Sequence, residues 1–159
     1  MSDLISASHP ILVGMPGAGK SSVARHVGQR LGVPVVDTDA VIEQRIGMSI
    51  RRFFECEGEL VFRDLEERVI AELVGGAAKV LATGGGAVLR RVNRQRMRAG
   101  GAVIYLRSTP EQIYRRLHKD TKRPLLQVAD PLQRLRDLYA ERDPLYRECA
   151  HFVLDAQGL

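Results

Sequence analysis

Apolar residues follow two rhythms along the chain. Runs that are apolar at consecutive positions, Ile11–Val13, Val35–Val36, Val80–Ala82, Val103–Leu106 and Phe152–Leu154, alternate with longer stretches of helical spacing. A strand covered by helices on both faces shows consecutive apolar positions, whereas a strand with one wet face alternates. The runs therefore predict a parallel sheet. Between them, Val23, Val27 and Leu31 recur at helical spacing within Ser21–Leu31, and Leu65, Val69 and Leu73 do so within Leu65–Leu73. Arg90–Ala99, Pro110–Leu117 and Pro131–Tyr139 complete the predicted helices. The last two open on a proline, whose fixed φ and missing N–H suit a first turn. His118–Val128 has turn and charge character without a period and is expected to be a mobile loop. The alternation of strand and helix predicts a doubly wound α/β domain.

Composition narrows this without redirecting it. The chain has 159 residues, 45% of them hydrophobic, which suits a single domain with one core. Its 24 Lys plus Arg against 19 Asp plus Glu give a net charge of +5, but the arginines are dispersed among acids. That pattern favours small anions over nucleic acid, for which four Phe and four Tyr supply no stacking platform. The longest apolar stretch, Val80–Leu89, is interrupted by glycines and falls far short of the roughly 20 residues a membrane helix needs. No membrane partner is expected. Met1–Ser8 lacks the basic start and apolar core of a secretory signal, so a cytoplasmic location is expected. Cys56 and Cys149 stand alone, which points to packing in a reducing compartment. His9, His26, His118 and His151 fall at no metal-ligand spacing.

The chemistry begins at Gly14-Met15-Pro16-Gly17-Ala18-Gly19-Lys20-Ser21, which fits G-x-x-x-x-G-K-[ST] directly after a predicted strand and at the start of a helix. Glycines let successive backbone N–H groups turn inward, and the helix adds its positive end, so an anionic phosphate chain can be held. Lys20 is placed to reach the β- and γ-phosphates and Ser21 to offer its hydroxyl to Mg²⁺. Asp37-Thr38-Asp39 follows the second strand, at the carboxyl edge where open α/β sheets bind ligands. One acid can serve Mg²⁺ while the other accepts hydrogen bonds from substrate hydroxyls, and Asp39 as a helix N-cap is the structural alternative. Thr83-Gly84-Gly85-Gly86 follows the third strand. Three glycines in a row suit a place where a ligand touches backbone, against the alternative of a flexible turn.

Further motifs give the set an identity. Ser49 with Phe53 and Gly58-Glu59, then Phe62-Arg63-Asp64-Leu65-Glu66, Arg123-Pro124-Leu125-Leu126 and Glu141-Arg142-Asp143-Pro144-Leu145-Tyr146 join those above in an order that resembles shikimate kinase, from about Ile11 to Gln157. The resemblance implies a P-loop NTPase fold of the nucleoside monophosphate kinase type: a five-stranded parallel sheet flanked by helices, a substrate-binding region at 38–72 and a lid at 118–128. It implies ATP-dependent phosphorylation of the shikimate 3-hydroxyl, with Mg²⁺, on the route to aromatic amino acids, by a monomer. It places Gly17, Ala18, Gly19, Lys20, Ser21, Ser22, Arg116, Arg123 and Gln157 on ATP, and Ser21 and Asp37 at the metal. Asp39, Arg63, Gly84, Gly85, Gly86 and Arg142 fall on shikimate, the two arginines at its carboxylate. Lys20, Asp39 and Arg123 carry the catalytic roles. On the sequence alone, Arg63 reads as a helix-surface residue paired with Glu59, Glu66 or Glu67. The family usually continues into another helix beyond the position of Gln157. A kinase for another polyol acid such as gluconate, and a non-catalytic ATP-binding module, are the alternatives.

Overall fold

The structure, a computed structural model, describes residues 9–117 and 128–156. In chain order the elements are β1 (His9–Val13), α1 (Lys20–Leu31), β2 (Val35–Asp37), α2 (Thr38–Ile46), α3 (Ile50–Glu57), α4 (Glu59–Val74), β3 (Val80–Ala82), α5 (Arg91–Gly100), β4 (Gly101–Arg107), α6 (Pro110–Leu117), α7 (Pro131–Cys149) and β5 (Phe152–Asp155). The strands form one parallel sheet in the order β2-β3-β1-β4-β5, with Ile11 opposite both Leu81 and Val103. The chain leaves β1 to one side for β2 and β3 and to the other for β4 and β5. A crevice therefore opens at the carboxyl end of β1, where the phosphate loop begins.

The central strands carry consecutive apolar residues, Ile11–Val13, Val80–Ala82 and Ala102–Ile104, because both faces are covered. Ile11, Val13, Leu81, Val103 and Tyr105 pack against Ile70, Met97, Leu135 and Tyr146, while Leu12, Val80 and Ala82 pack with Ala24, Val23 and Val27. Each fully buried Leu or Ile stabilises the fold by about 1.5–3 kcal/mol. A third cluster, Ile42, Phe62 and Val69 with Phe53 and Phe54, ties α2, α3 and α4 into a separate wall beside the crevice.

Four expectations need correction. The outer strands are not covered on both faces: Phe152, Val153 and Leu154 are each more than 40% exposed and Val35 is 36% exposed. A consecutive apolar run marks a strand without telling whether it lies at the centre or the edge. Helices α2 and α3 lie where periodicity gave no signal. They are short, and their starts are set by caps: the Asp37 side chain accepts from Asp39 N and Ala40 N, and that of Ser49 accepts from Arg52 N. Helix α7 runs to Cys149 rather than Tyr139, through Pro144. Proline there removes one helical donor, while Tyr105 Oη and Arg147 Nε both donate to the adjacent Asp143 carboxylate. Cys149 is buried, its thiol pushed up to about 11 by burial, but Cys56 is exposed and lies outside the core. Among the described residues no helix is long and apolar enough to cross a membrane.

Candidate active site

Two cavities meet in the crevice. The first, about 390 Å³, is floored by the phosphate loop. Gly17 (φ 84°) and Gly19 (φ 93°) hold left-handed backbone that other residues adopt only with strain, and Gly19 caps α1, so the helix's first N–H groups face the loop. Lys20 folds back over the loop, its Nζ donating to the carbonyls of Gly14 at 2.6 Å and Met15 at 2.9 Å, and it is only 9% exposed. Ser21, Ser22, Asp37 and Asp39 line the same cavity, together with Arg116, whose Nη1 donates to Gly17 O at 3.2 Å. Ala18 lines an adjoining recess with Ser22 and Arg116. A buried ammonium, a basic rim and inward N–H groups make this a place for a polyanion.

Because β2 ends at Asp37, its carboxylate and that of Asp39 both reach the first cavity. Asp37, not Asp39, is the N-cap, and both of its bonds, from Asp39 N at 2.9 Å and Ala40 N at 3.2 Å, fall on Oδ1. Asp39 is released for other work. Burial, reinforced by the charges of Asp37 and Glu66 and opposed by Lys20, pushes its carboxyl up from an ordinary 3.8 to about 6.

The second cavity, about 370 Å³, shares Pro16, Asp39, Gly84 and Gly85 with the first and adds Arg63, Glu66, Gly86 and Arg142. The triple glycine explains how so many side chains fit. A Cβ on Gly84 would lie 2.5 Å from the Asp39 carboxylate, one on Gly85 2.6 Å from the Pro16 ring, and one on Gly86 2.6 Å from the Arg63 guanidinium carbon. None of these glycines has positive φ, so they serve as room for Asp39, Pro16 and Arg63 rather than as a flexible turn. Thr38 Oγ1 accepts from Gly84 N and Tyr146 Oη donates to Gly85 O, which fixes the segment from both sides.

Arg63 does pair with Glu59 at 3.3 Å and Glu66 at 2.9 Å, as its helix spacing suggested. It is nevertheless no surface residue: its side chain is 12% exposed, and its guanidinium lies 5.2 Å from the Phe62 ring centroid and 5.9 Å from that of Phe54. Glu66 is almost wholly buried, and burial raises its carboxyl against the pull of Arg63. Arg142, on α7, has a buried Nε with no hydrogen-bond partner among the described residues. A buried guanidinium donor left unpaired is costly, and a carboxylate ligand would satisfy it. Sequence reading gave no site role to Glu66, Phe54, Tyr146 or Arg134, which also lines this cavity; their contacts cross between elements and leave no local pattern. Arg123, Gln157 and, apart from Val128, the expected lid at 118–128 lie outside the described residues.

The raised carboxyl of Asp39 has a thermodynamic consequence. The folded protein binds its proton more tightly than the unfolded chain, so stability falls as pH rises through the window from 3.8 to about 6, and the full cost is present at neutral pH. A shift of that size is worth up to about 3 kcal/mol. Asp39→Asn is therefore expected to raise Tm at pH 7.5, by up to about 10 °C, and to have little effect at pH 4. Thermal unfolding at the two pH values checks this, and a variant no more stable than the parent at pH 7.5 would contradict the electrostatics described.

Comparison with known proteins converges with the geometry. The shikimate kinase family model matches residues 16–159. The shikimate kinase of Paracidovorax citrulli (strain AAC00-1) is 59% identical over 148 residues, which span 92% of this chain and 81% of that protein. That of Burkholderia pseudomallei (strain 1710b) is 52% identical over 145 residues, 91% of this chain and 79% of the relative. Among solved structures, shikimate kinase from Acinetobacter baumannii in complex with shikimate superposes with a TM-score of 0.90 at 44% identity, covering 97% of this chain and 86% of the other. A gluconokinase from Sinorhizobium meliloti 1021 reaches a TM-score of 0.51 at 20% identity, a likeness of fold only. On a match that runs through the phosphate loop, the glycine segment and both arginine motifs, the chain belongs to the shikimate kinase family.

Proposed function

We infer that the protein transfers the γ-phosphoryl group of ATP to the 3-hydroxyl of shikimate, giving 3-phosphoshikimate and ADP. The observation that carries this reading is the meeting of two cavities of different chemistry at one carboxylate. The phosphate-loop cavity and the arginine-lined cavity share Asp39, so a hydroxyl bound in the second can face a phosphoryl group bound in the first. Transfer of this kind leaves little covalent work to the protein and depends on positioning and charge stabilisation.

In this reading Gly17, Ala18, Gly19, Lys20, Ser21 and Ser22 hold the phosphates, with Arg116 beside them, and Lys20 stabilises charge on the transferring group. Asp39 orients the attacking hydroxyl and can accept its proton, a task that a carboxyl raised to about 6 suits better than an ordinary one. Arg63 and Arg142 grip the shikimate carboxylate, and Gly84, Gly85 and Gly86 present backbone to the ring. Ser21 and Asp37 are the groups that would hold Mg²⁺: both line the phosphate cavity, and Asp37 spends only Oδ1 on its cap. Two protein oxygens with phosphates and waters are ordinary magnesium ligation. When bound, the ion neutralises charge on the β- and γ-phosphate oxygens. Arg123 on the phosphates, Gln157 on adenine, 38–72 as the acceptor-binding region and 118–128 as a lid follow from the family resemblance. A monomer in the cytoplasm is part of the same reading.

Gluconate is the nearest rival acceptor, being also a polyol acid. The aromatic wall of Phe54 and Phe62 beneath Arg63 favours a compact ring over an open chain. A coupled ADP-release assay with shikimate, quinate, gluconate and buffer alone tests the reading. Shikimate should support turnover at least about a hundredfold above gluconate and buffer; gluconate offers the same carboxylate, so the discrimination comes from how well the reacting hydroxyl is placed at Asp39. Equal rates with gluconate, or release without any acceptor at the same rate, would overturn it.

A further inference from the structure

The acceptor cavity is lined by three arginines, of which Arg63 and Arg142 have roles above and Arg134 has none. Arg134, Leu138 and Arg142 follow one another at four-residue steps along α7, so they lie on one stripe of the helix, and all three line the cavity. Their settings differ. Arg63 and Arg142 are partly buried, whereas Arg134 is exposed at the cavity's edge. Other arginines of α7 are tied down, Arg136 to Glu111 at 3.1 Å and Arg147 to Asp143 at 3.1 Å. No such ion pair forms on Arg134 among the described residues.

We propose that Arg134 is a specificity-determining residue, a rim charge that draws an anionic acceptor into the cavity toward Arg63 and Arg142. The inference rests on the proposed shikimate phosphorylation. Glu59 and Glu66 line the same cavity and already engage Arg63, and Asp39 adds a third carboxylate. Without Arg134, the lining would set three carboxylates against two arginines, with Glu59, 59% exposed, sharing Arg63 with Glu66. Arg134 removes that excess by adding a third positive charge at the mouth. A charge placed at a wet rim acts through its field more than through a fixed hydrogen bond, so it governs capture and is screened by salt.

The test compares Arg134→Gln, Arg134→Lys and a control, Arg136→Gln, with wild-type protein under steady-state turnover of shikimate. At about 50 mM salt, Arg134→Gln is expected to lower kcat/KM for shikimate by about three- to tenfold with kcat and KM for ATP unchanged. At about 0.5 M salt the difference should shrink below about twofold. Arg134→Lys should stay within about twofold of wild type, because charge and not the guanidinium fork is required. With the methyl ester of shikimate, wild type and Arg134→Gln should behave alike. An unchanged kcat/KM in Arg134→Gln, a defect equally large at high salt, or a lysine variant as impaired as glutamine would overturn the proposal, as would an equal loss in Arg136→Gln. Failure of wild-type protein to turn over shikimate would instead refute the reaction on which the inference rests.

Discussion

Lys20→Ala is expected to lower kcat by about 10²–10³-fold, the loss typical when one preorganised donor to developing charge is removed, or about 2.7–4 kcal/mol of barrier. The ammonium is already desolvated and aimed: it is 9% exposed and directed inward by the Gly14 and Met15 carbonyls. Alanine removes the charge from the place where the γ-phosphoryl would sit and leaves the helix start, set by Gly19, untouched. Stability should change little, since the two lost hydrogen bonds are offset by relief from burying a charge. Steady-state ADP release and thermal unfolding on the same sample separate the effects. Turnover within about threefold of wild type in a folded variant would contradict the role given to Lys20.

Arg142→Ala and Arg63→Ala should both damage recognition of the acceptor, but only one should damage the fold. Removing one partner of a partly buried charge pair costs roughly 2–5 kcal/mol, so kcat/KM for shikimate should fall by about 30-fold to several thousandfold in either variant. KM for ATP should change much less, because neither arginine lines the phosphate cavity. The two differ in what they leave behind. Arg142 has an unpaired Nε, so its loss strands no protein group at that atom. Loss of Arg63 leaves Glu66, 1% exposed, without its cation, and a buried unpaired carboxylate is strongly destabilising. Arg63→Ala should therefore lower Tm by several degrees while Arg142→Ala stays near wild type. Lysine should rescue neither well, since a point charge cannot supply two parallel hydrogen bonds. Equal Tm values for the two variants would show that Arg63 is not the partner that keeps Glu66 charged.

The phosphate site was legible in the sequence because its chemistry is contiguous: one strand, one loop and one helix start carry Gly17, Lys20 and Ser21 within a few residues. Asp37 and Asp39 were legible for a similar reason, their position just past a strand end, though which of them caps the helix was decided only by the hydrogen bonds on Asp37 Oδ1. The acceptor site was different. Arg63 sits on α4 and Arg142 on α7, and nothing in their spacing says that both converge on Gly84–Gly86; only the family resemblance joined them. The triple glycine stands out in the sequence as backbone offered to a ligand, whereas in the structure each missing Cβ makes room for a named side chain of the site. Helices α2 and α3 escaped because they are short and rest on caps and on the Phe53, Phe54 and Phe62 cluster rather than on a long apolar stripe.

The claim at the centre is that a guanidinium pair reads the carboxylate of the acceptor while Asp39 reads a hydroxyl. The most direct measurement is the ratio of kcat/KM for shikimate to that for its methyl ester, which keeps all three hydroxyls and loses only the charge, in wild-type protein and in Arg142→Ala. Wild type should favour the acid by at least about 30-fold, and the variant should lose most of that preference by turning over the acid poorly and the ester about as well as wild type does. If wild-type protein phosphorylates the ester as efficiently as the acid, the arginine pair does not read a carboxylate and the acceptor must be sought among other polyols.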